Sequence, residues 1–245
     1  MEPVRSTRNP RVAEAVRLRR VRERRKTGLM LLEGPHLLDE ALAAGVEIVT
    51  AFGLGEPPST DLPWIAVTEE VLGKVADTEH PRGPVAVARI PGEAPIARDH
   101  LLLDVTDPGN AGTLIRTAAG FGLDVCMRPG GVDPWSPKVL RAAAGAHFRT
   151  SLGQPPAGAG RIATVVRGGD DPRRFPEMLD PGRIWSILVG SEAHGLDAAE
   201  VAAADIVVTI PMQSDVESLN AAVAGSVVAY ELARWRADRA PVASR

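Results

Sequence analysis

Apolar positions in this chain come in short runs, separated by stretches with helical spacing. Leu29-Met30-Leu31-Leu32 is the first run, and Gly34-Pro35 turns it. Leu37, Leu38, Ala41 and Leu42 then fall on one face of a helix over 36–44, which Gly45 ends. Val46-Glu47-Ile48-Val49, Trp64-Ile65-Ala66-Val67 and Val85-Ala86-Val87-Ala88 predict three more strands, and Thr68 is placed to cap a helix over 69–76. Ahead of these, Asn9 and Pro10 read as the cap and first position of a basic helix over 11–25. Its apolar stripe (Val12, Ala15, Val16, Val21) is weak. Together these elements make a small α/β unit over residues 1–92.

Pro91-Gly92-Glu93-Ala94-Pro95 has no periodicity and reads as a linker. A second unit follows over 99–239. It opens with Leu101-Leu102-Leu103-Asp104-Val105, a continuous apolar run of the kind buried on both faces of a sheet. Helix 113–121, strand 123–127, helix 137–144, strands near 162–166 and 184–189, helix 197–203, strand 206–210 and a long helix near 217–236 complete it. Gly153–Gly160 reads as a surface loop. Strands alternating with helices predict an α/β fold with a largely parallel sheet.

Composition changes this picture little. Hydrophobic residues are 44% and charged residues 24%, ordinary values for a globular chain. No apolar run approaches the roughly 20 residues of a membrane span. The start, Met1-Glu2-Pro3-Val4-Arg5, lacks the apolar core of a signal peptide, so a cytoplasmic location is expected. The single cysteine, Cys126, excludes an internal disulfide. Five scattered histidines lack ligand spacing, and no metal site is expected. Charge is more informative. Residues 1–26 hold ten basic groups against three acidic ones, a balance of +7, while the rest of the chain carries −10. Such segregation suggests either a polyanion-binding end on an acidic body or a solvated helix face.

Ligands of open parallel sheets bind at the carboxyl ends of strands. Three predicted strands here run into unusual loops, and two of the chain's three asparagines, Asn110 and Asn220, lie in them. There is no GxGxxG after a strand, no Walker loop, no HExxH and no GxSxG elbow. An ordinary nucleotide-dependent enzyme is therefore disfavoured. What the loops do contain is Asn110-x-Gly112-x-x-x-Arg116, then Gly190-x-Glu192-x-x-Gly195, then Ile210-Pro211-Met212 followed by Ser218-Leu219-Asn220. In order and spacing these resemble the three motifs of the SpoU/TrmH branch of the SPOUT RNA methyltransferases. Residues 99–237 carry the resemblance. Asn9-Pro10-Arg11 and Leu32-Glu33-Gly34 more loosely resemble the L30e-like RNA-binding domain that often precedes it. Ser214 stands where that family usually has glycine.

The resemblance implies transfer of a methyl group from S-adenosyl-L-methionine to a ribose 2′-hydroxyl of RNA, ribosomal RNA before transfer RNA. It also implies a C-terminal sheet threaded into a deep trefoil knot, and a homodimer. By motif position, Gly190, Ile210 and Leu219 would line the cofactor pocket, with Leu188, Met212 and Ser218 beside them. Arg116, Asn110, Glu192 and Asn220 would be the catalytic set. A guanidinium is too weak an acid to serve easily as a base, so Arg116 is expected to stabilise the developing alkoxide. One helical turn past the Asn110 loop, it is expected to reach the same strand-end crevice, in its own chain or, as the resemblance implies, near the cofactor of the neighbouring subunit. Glu192 is expected either to order its loop or to bond substrate. The apolar positions Ala221, Ala224, Val228 and Leu232 offer the last helix a stripe for the dimer or for its own sheet. The competing reading is a catalytically silent RNA-binding protein that keeps the fold.

Overall fold

A computed structural model describes residues 2–81, 83–213 and 217–239. Ser214 lies outside the described residues. The chain divides into two compact units, Met1–Gly92 with Asp133–Phe148, and Glu93–Val132 with Arg149–Arg245.

The first unit contains α1 (Pro10–Arg17), α2 (Val21–Thr27), β1 (Leu29–Glu33), α3 (Pro35–Ala43), β2 (Ile48–Gly53), β3 (Trp64–Ala66), α4 (Glu69–Val75) and β4 (Val85–Arg89). Its sheet has the order β1-β4-β2-β3, with β4 antiparallel to both neighbours and β2 parallel to β3. The pleat sends alternate side chains to opposite faces. Met30, Leu32, Ala86 and Ala88 pack with Leu37, Leu38 and Ala41 of α3. Leu31, Val85 and Val87 pack with Val12 and Ala15 of α1, with Leu18 just after it, and with Val71, Leu72 and Val75 of α4. Both faces of the sheet are therefore covered, which is why its strands read as unbroken apolar runs.

Two predicted elements differ here. The helix expected over 11–25 is two helices, broken at 18–20. In one continuous helix the Leu18 carbonyl would accept from the fourth residue on. Instead it accepts from the buried Arg24 guanidinium at 2.6 Å, whose Nε also donates to Asp133 Oδ2 at 2.7 Å. Arg19 donates to the carbonyls of Lys74 and Ala76 at the C-terminal end of α4, where a cation complements the helix dipole. Two of the ten basic groups thus hold the fold together. The strand expected at 46–49 begins at Ile48. Gly45 (φ 71°) ends α3 in a Schellman motif, with Val46 N–H bonding Ala41 C=O at 2.9 Å and Gly45 N–H bonding Leu42 C=O at 3.0 Å. Val46 is consumed by that cap.

The second unit begins with β5 (His100–Leu103), α5 (Pro108–Phe121) and β6 (Asp124–Met127). The chain then contributes α6 (Pro137–Ala143) to the first unit, where Leu140 joins the α3 cluster. It returns for β7 (Gly160–Thr164), α7 (Phe175–Met178), β8 (Trp185–Val189), α8 (Ala198–Ala202), β9 (Ile206–Val208) and α9 (Ala221–Ala237). The sheet order is β6-β5-β8-β7-β9, every pair parallel. All five residues of β8 are buried. The closest helix packing is at Gly225 of α9, where a Cβ would stand 2.7 Å from Leu114 of α5 and 2.9 Å from Val189 of β8. Only glycine permits that approach.

Helix α5 starts five residues earlier than predicted. Asp107 caps it, its Oδ1 accepting from Asn110 N–H at 2.8 Å, and Pro108 sits at the first helical position. Asn110 is therefore a first-turn helix residue. Of the two roles open to the apolar stripe of α9, the structure shows packing on its own unit. Val228 and Leu232 are fully buried against their own unit. The exposed apolar residues of α9 are Val223, Val227 and Tyr230, on the opposite face.

Candidate functional site

The carboxyl ends of β7 and β8, the segment after β9 and the first turn of α9 enclose a cavity of about 470 Å³. That size suits a small-molecule ligand. Thr164, Val165 and Val166 form one wall, and residues 189–195 form the second. Ile210 and Met212, then Ser218, Leu219, Asn220, Ala221 and Ala224, close the rest. Of the residues singled out from sequence, Gly190, Glu192, Ile210, Met212, Ser218, Leu219 and Asn220 meet in this cavity. Leu188 does not: it is fully buried within β8, and its neighbour Val189 reaches the wall instead.

Sequence reasoning missed Thr164, Val165 and Val166. The signal was present, because the strand-end rule applies to β7 as much as to β8. Its loop has no unusual composition to draw attention. Thr164 matters chemically, since its Oγ1 is buried without a hydrogen-bond partner. A polar atom in that condition costs free energy unless something bonds it.

The loop after β8 is a closed ring. Ser191 N–H bonds Gly195 C=O at 3.2 Å and Gly195 N–H bonds Ser191 C=O at 2.8 Å. Gly195 has φ 67°. A Cβ on Gly190 would stand 2.2 Å from Gly195 C and 2.3 Å from Leu196 N. Gly190 is thus required by the backbone of its own loop as well as by the cavity that it lines.

Glu192 ties this loop to α5. Its Oε2 accepts from Thr106 N–H at 3.1 Å and Thr106 Oγ1–H at 3.0 Å. Its Oε1 accepts from Asp107 N–H at 3.2 Å and from the Asn110 amide at 2.8 Å. The Asn110 carbonyl oxygen accepts from the Asn220 amide at 3.0 Å, and Asn220 Oδ1 caps α9 by accepting from Ala222 N–H at 2.8 Å and Val223 N–H at 3.2 Å. One chain of bonds therefore joins all three motifs. Burial pushes the Glu192 acid up. Hydrogen bonds from the Asn110 side chain and from backbone N–H groups of Glu192, Thr106 and Asp107 outweigh that and hold it at about 2. Both carboxylate oxygens being engaged, Glu192 orders its loop.

Arg116 is not in this cavity. It is exposed on α5 and lines a separate groove with Thr113, Phe121, Val223, Val227 and Tyr230. The expectation that it reaches the strand-end crevice of its own chain is corrected. The geometry is simple: Asn110 and Arg116 are six residues apart, more than one and a half turns, so they leave α5 in different directions. Phe121 and Tyr230 stack at 5.7 Å between ring centroids, and the Thr117 and Ser226 hydroxyls bond at 2.8 Å along the groove floor. Among the described residues no cluster of three or more His, Cys, Asp or Glu could hold a metal.

Comparison with known proteins agrees with this architecture. The SpoU rRNA Methylase family is matched over residues 100–230, and an MRM3-like substrate binding domain over residues 9–86. The chain is 33% identical to the 23S rRNA (guanosine(2553)-2′-O)-methyltransferase RlmP of Bacillus subtilis, over 95% of this chain and 99% of that one. It superposes on an AdoMet-bound rRNA methyltransferase from Sinorhizobium meliloti with a TM-score of 0.81 at 26% identity, covering 95% of this chain and 97% of the other. The SpoU methyltransferase AviRb from Streptomyces viridochromogenes, solved with AdoMet, gives a TM-score of 0.80 at 25% identity, with 94% and 99% covered.

Proposed function

The chain belongs to the SpoU rRNA methylase family, and on that premise we propose that it methylates a ribose 2′-hydroxyl of ribosomal RNA, using S-adenosyl-L-methionine. The observation that carries this reading is the cavity at the strand ends, lined by the second and third motifs and tied to the first by the Asn110 bonds to Glu192 and Asn220. Its residues fit the cofactor. Val165, Ile210, Met212 and Leu219 offer flat apolar walls for an adenine ring. The Glu192 carboxylate makes the wall a favourable place for a cationic ligand.

When bound, S-adenosylmethionine supplies an electrophilic methyl carried on a sulfonium. The chain's part is to hold and orient. The Glu192–Asn110–Asn220 bonds fix the loop against α5 and α9, so the walls need not reorganise when the ligand arrives. Arg116 supplies a fixed cation for the developing 2′-alkoxide, whose charge grows towards the transition state. It does so in the cavity of a second copy. Support comes from its position on an exposed face, with no partner among the described residues, beside the apolar Phe121, Val223, Val227 and Tyr230. We therefore read the active form as a homodimer that buries this face.

Residues 1–92 are read as an L30e-like RNA-binding domain and residues 99–239 as the methyltransferase domain with the trefoil knot of its family. Eight of the ten basic groups in residues 1–26 stay available to phosphates once Arg19 and Arg24 are set aside. Among the described residues no helix is long and apolar enough to cross a membrane.

The test is calorimetric titration with S-adenosylmethionine, followed by tritiated-methyl incorporation into a 23S rRNA transcript and mapping of the modified ribose. Cofactor binding with 2′-O-methylation is expected. Methyl recovered on a base, or no cofactor binding, would refute the reading.

A further inference from the structure

Removing a proton from a ribose hydroxyl needs an acceptor, and the cavity offers few. Its only titratable side chains among the described residues are Glu192 and His194. Glu192 accepts four hydrogen bonds through its two oxygens, so its lone pairs are already used. Arg116 is a permanent cation and cannot accept a proton at neutral pH. His194 is different. It lies on the rim of the cavity, in the exposed turn of the ring after β8, and its imidazole has no hydrogen-bond partner among the described residues. Its backbone is fixed, because His194 N–H donates to Ser191 Oγ at 3.3 Å and the Ser191–Gly195 pair closes the ring around it. Histidine is also the side chain whose charge ordinarily changes near neutral pH.

We propose that His194 is a catalytic residue of the methyl transfer, the group that takes the proton from the ribose 2′-hydroxyl. This rests on the reading given under Proposed function and extends it by dividing the labour: Arg116 of the partner subunit steadies the oxyanion, and His194 accepts the proton. In the step, the 2′-oxygen forms its bond to the methyl carbon while the carbon–sulfur bond breaks. The electron pair of that bond stays on sulfur, which leaves as a neutral thioether. The hydroxyl proton moves to the unprotonated imidazole nitrogen, and the imidazolium later returns it to water. Charge is conserved, since the cationic sulfonium is replaced by the imidazolium.

Few charged groups surround His194. On its own loop the charged neighbour is Glu192, held by Thr106, Asp107 and Asn110. Across the cavity, residues 164–166, 210, 212 and 218–221 contribute no charged side chain to the lining. Arg167 and Glu217 flank those segments in sequence, and Asp197 caps α8 beyond the ring.

The test compares wild type with His194→Gln and His194→Ala, using the full chain, S-adenosylmethionine and an in-vitro 23S rRNA transcript. The turnover number kcat is followed from pH 5.5 to 9, a range chosen to bracket imidazole titration. Wild type should show log kcat rising with unit slope and then levelling. Both variants should bind S-adenosylmethionine within about twofold of wild type, which confirms that the loop is intact. Their plateau kcat should fall by about 10²-fold, the scale of a lost general base, and the acid limb should vanish. Added imidazole should restore part of the activity of His194→Ala. Variants with wild-type kcat and an unchanged acid limb would overturn the role of His194 alone. A wild type that binds cofactor yet methylates no ribose would overturn the parent reading, and this one with it.

Discussion

The two parts of helix α5 stand in different chemical surroundings. At its N-terminal end, Asp107 and Asn110 are bonded to Glu192, to Asn220 and to the helix itself. Further along, Arg116 points into a groove with apolar neighbours and no anion. Beside it, exposed Phe121, Val223, Val227 and Tyr230 form an apolar patch of the kind that marks an interaction site. The contrast is that the strand-end cavity is closed within one chain, while Arg116, proposed above to serve the chemistry, stands outside that cavity. The following outcomes would break or sharpen that contrast.

The largest effect is expected at Gly190. A side chain there meets the Gly195–Leu196 backbone at 2.2–2.3 Å, and backbone cannot step aside cheaply. Gly190→Val should abolish S-adenosylmethionine binding in calorimetry. An affinity equal to wild type would show that the ring after β8 does not shape the cavity.

Arg116→Ala should leave cofactor affinity within about twofold and lower kcat by about 10²-fold, the scale of a lost oxyanion donor. Arg116→Lys should recover only part, because an ammonium cannot reproduce the guanidinium fork. Mixing inactive Arg116→Ala with inactive Gly190→Val chains should restore activity, since one site of a mixed dimer then has an intact cavity and an intact arginine. No recovery after verified exchange of subunits would place Arg116 outside the neighbour's site.

Glu192→Gln sharpens the other side. A glutamine must turn an N–H towards either the two Thr106 donors or the donors of Asp107 and Asn110. Loss of these charge-assisted bonds should weaken cofactor binding by about tenfold. The pH dependence follows from the same bonds. The Glu192 acid is held at about 2, below the ordinary carboxylate value near 4.5. Its contribution is therefore complete above about 4.5 and lost as pH falls towards 2. Loop order, followed by the amide signals of residues 191–195 in NMR, should be insensitive to Glu192 titration between pH 8 and 5. A carboxyl resonance of Glu192 titrating near or above 4.5 would contradict the bonded geometry.

The smallest effect is expected in the basic arm. Removing residues 1–26 would take away Val12, Ala15, Leu18 and the buried Arg24, so deletion tests stability rather than RNA binding. Arg22→Gln with Arg25→Gln removes exposed charge only. The slope of log K against log salt for the 23S transcript should flatten by about 1–2 units if both groups meet phosphates, with cofactor affinity unchanged. An unchanged slope would return those residues to the role of a solvated face.

Much of this was legible in the chain. The alternation of apolar runs and helical stripes carried the element order, because burying both faces of a sheet demands it. Motif spacing carried the residues that meet at the cavity. Boundaries were lost where a cap competes with a strand, as at Val46, or where a buried ion pair breaks a helix, as Arg24 does at Leu18. The role of Glu192 was open in sequence, since a carboxylate in a loop can order it or bind substrate. Four donors converging from α5 and the end of β5 decided it.

By itself the sequence determined which residue types recur with which spacing: the strands, the helices and the three loops that must lie at strand ends. Those follow from local propensity and periodic burial, which a linear chain displays directly. Only the tertiary structure decided that Thr164 joins the cavity, that Leu188 does not, that α6 belongs with the first unit, and that Arg116 faces away from the loop beside it. Each of those depends on the direction in which a side chain leaves its element and on which distant segment stands opposite. Neither quantity is periodic in sequence, and packing alone sets both.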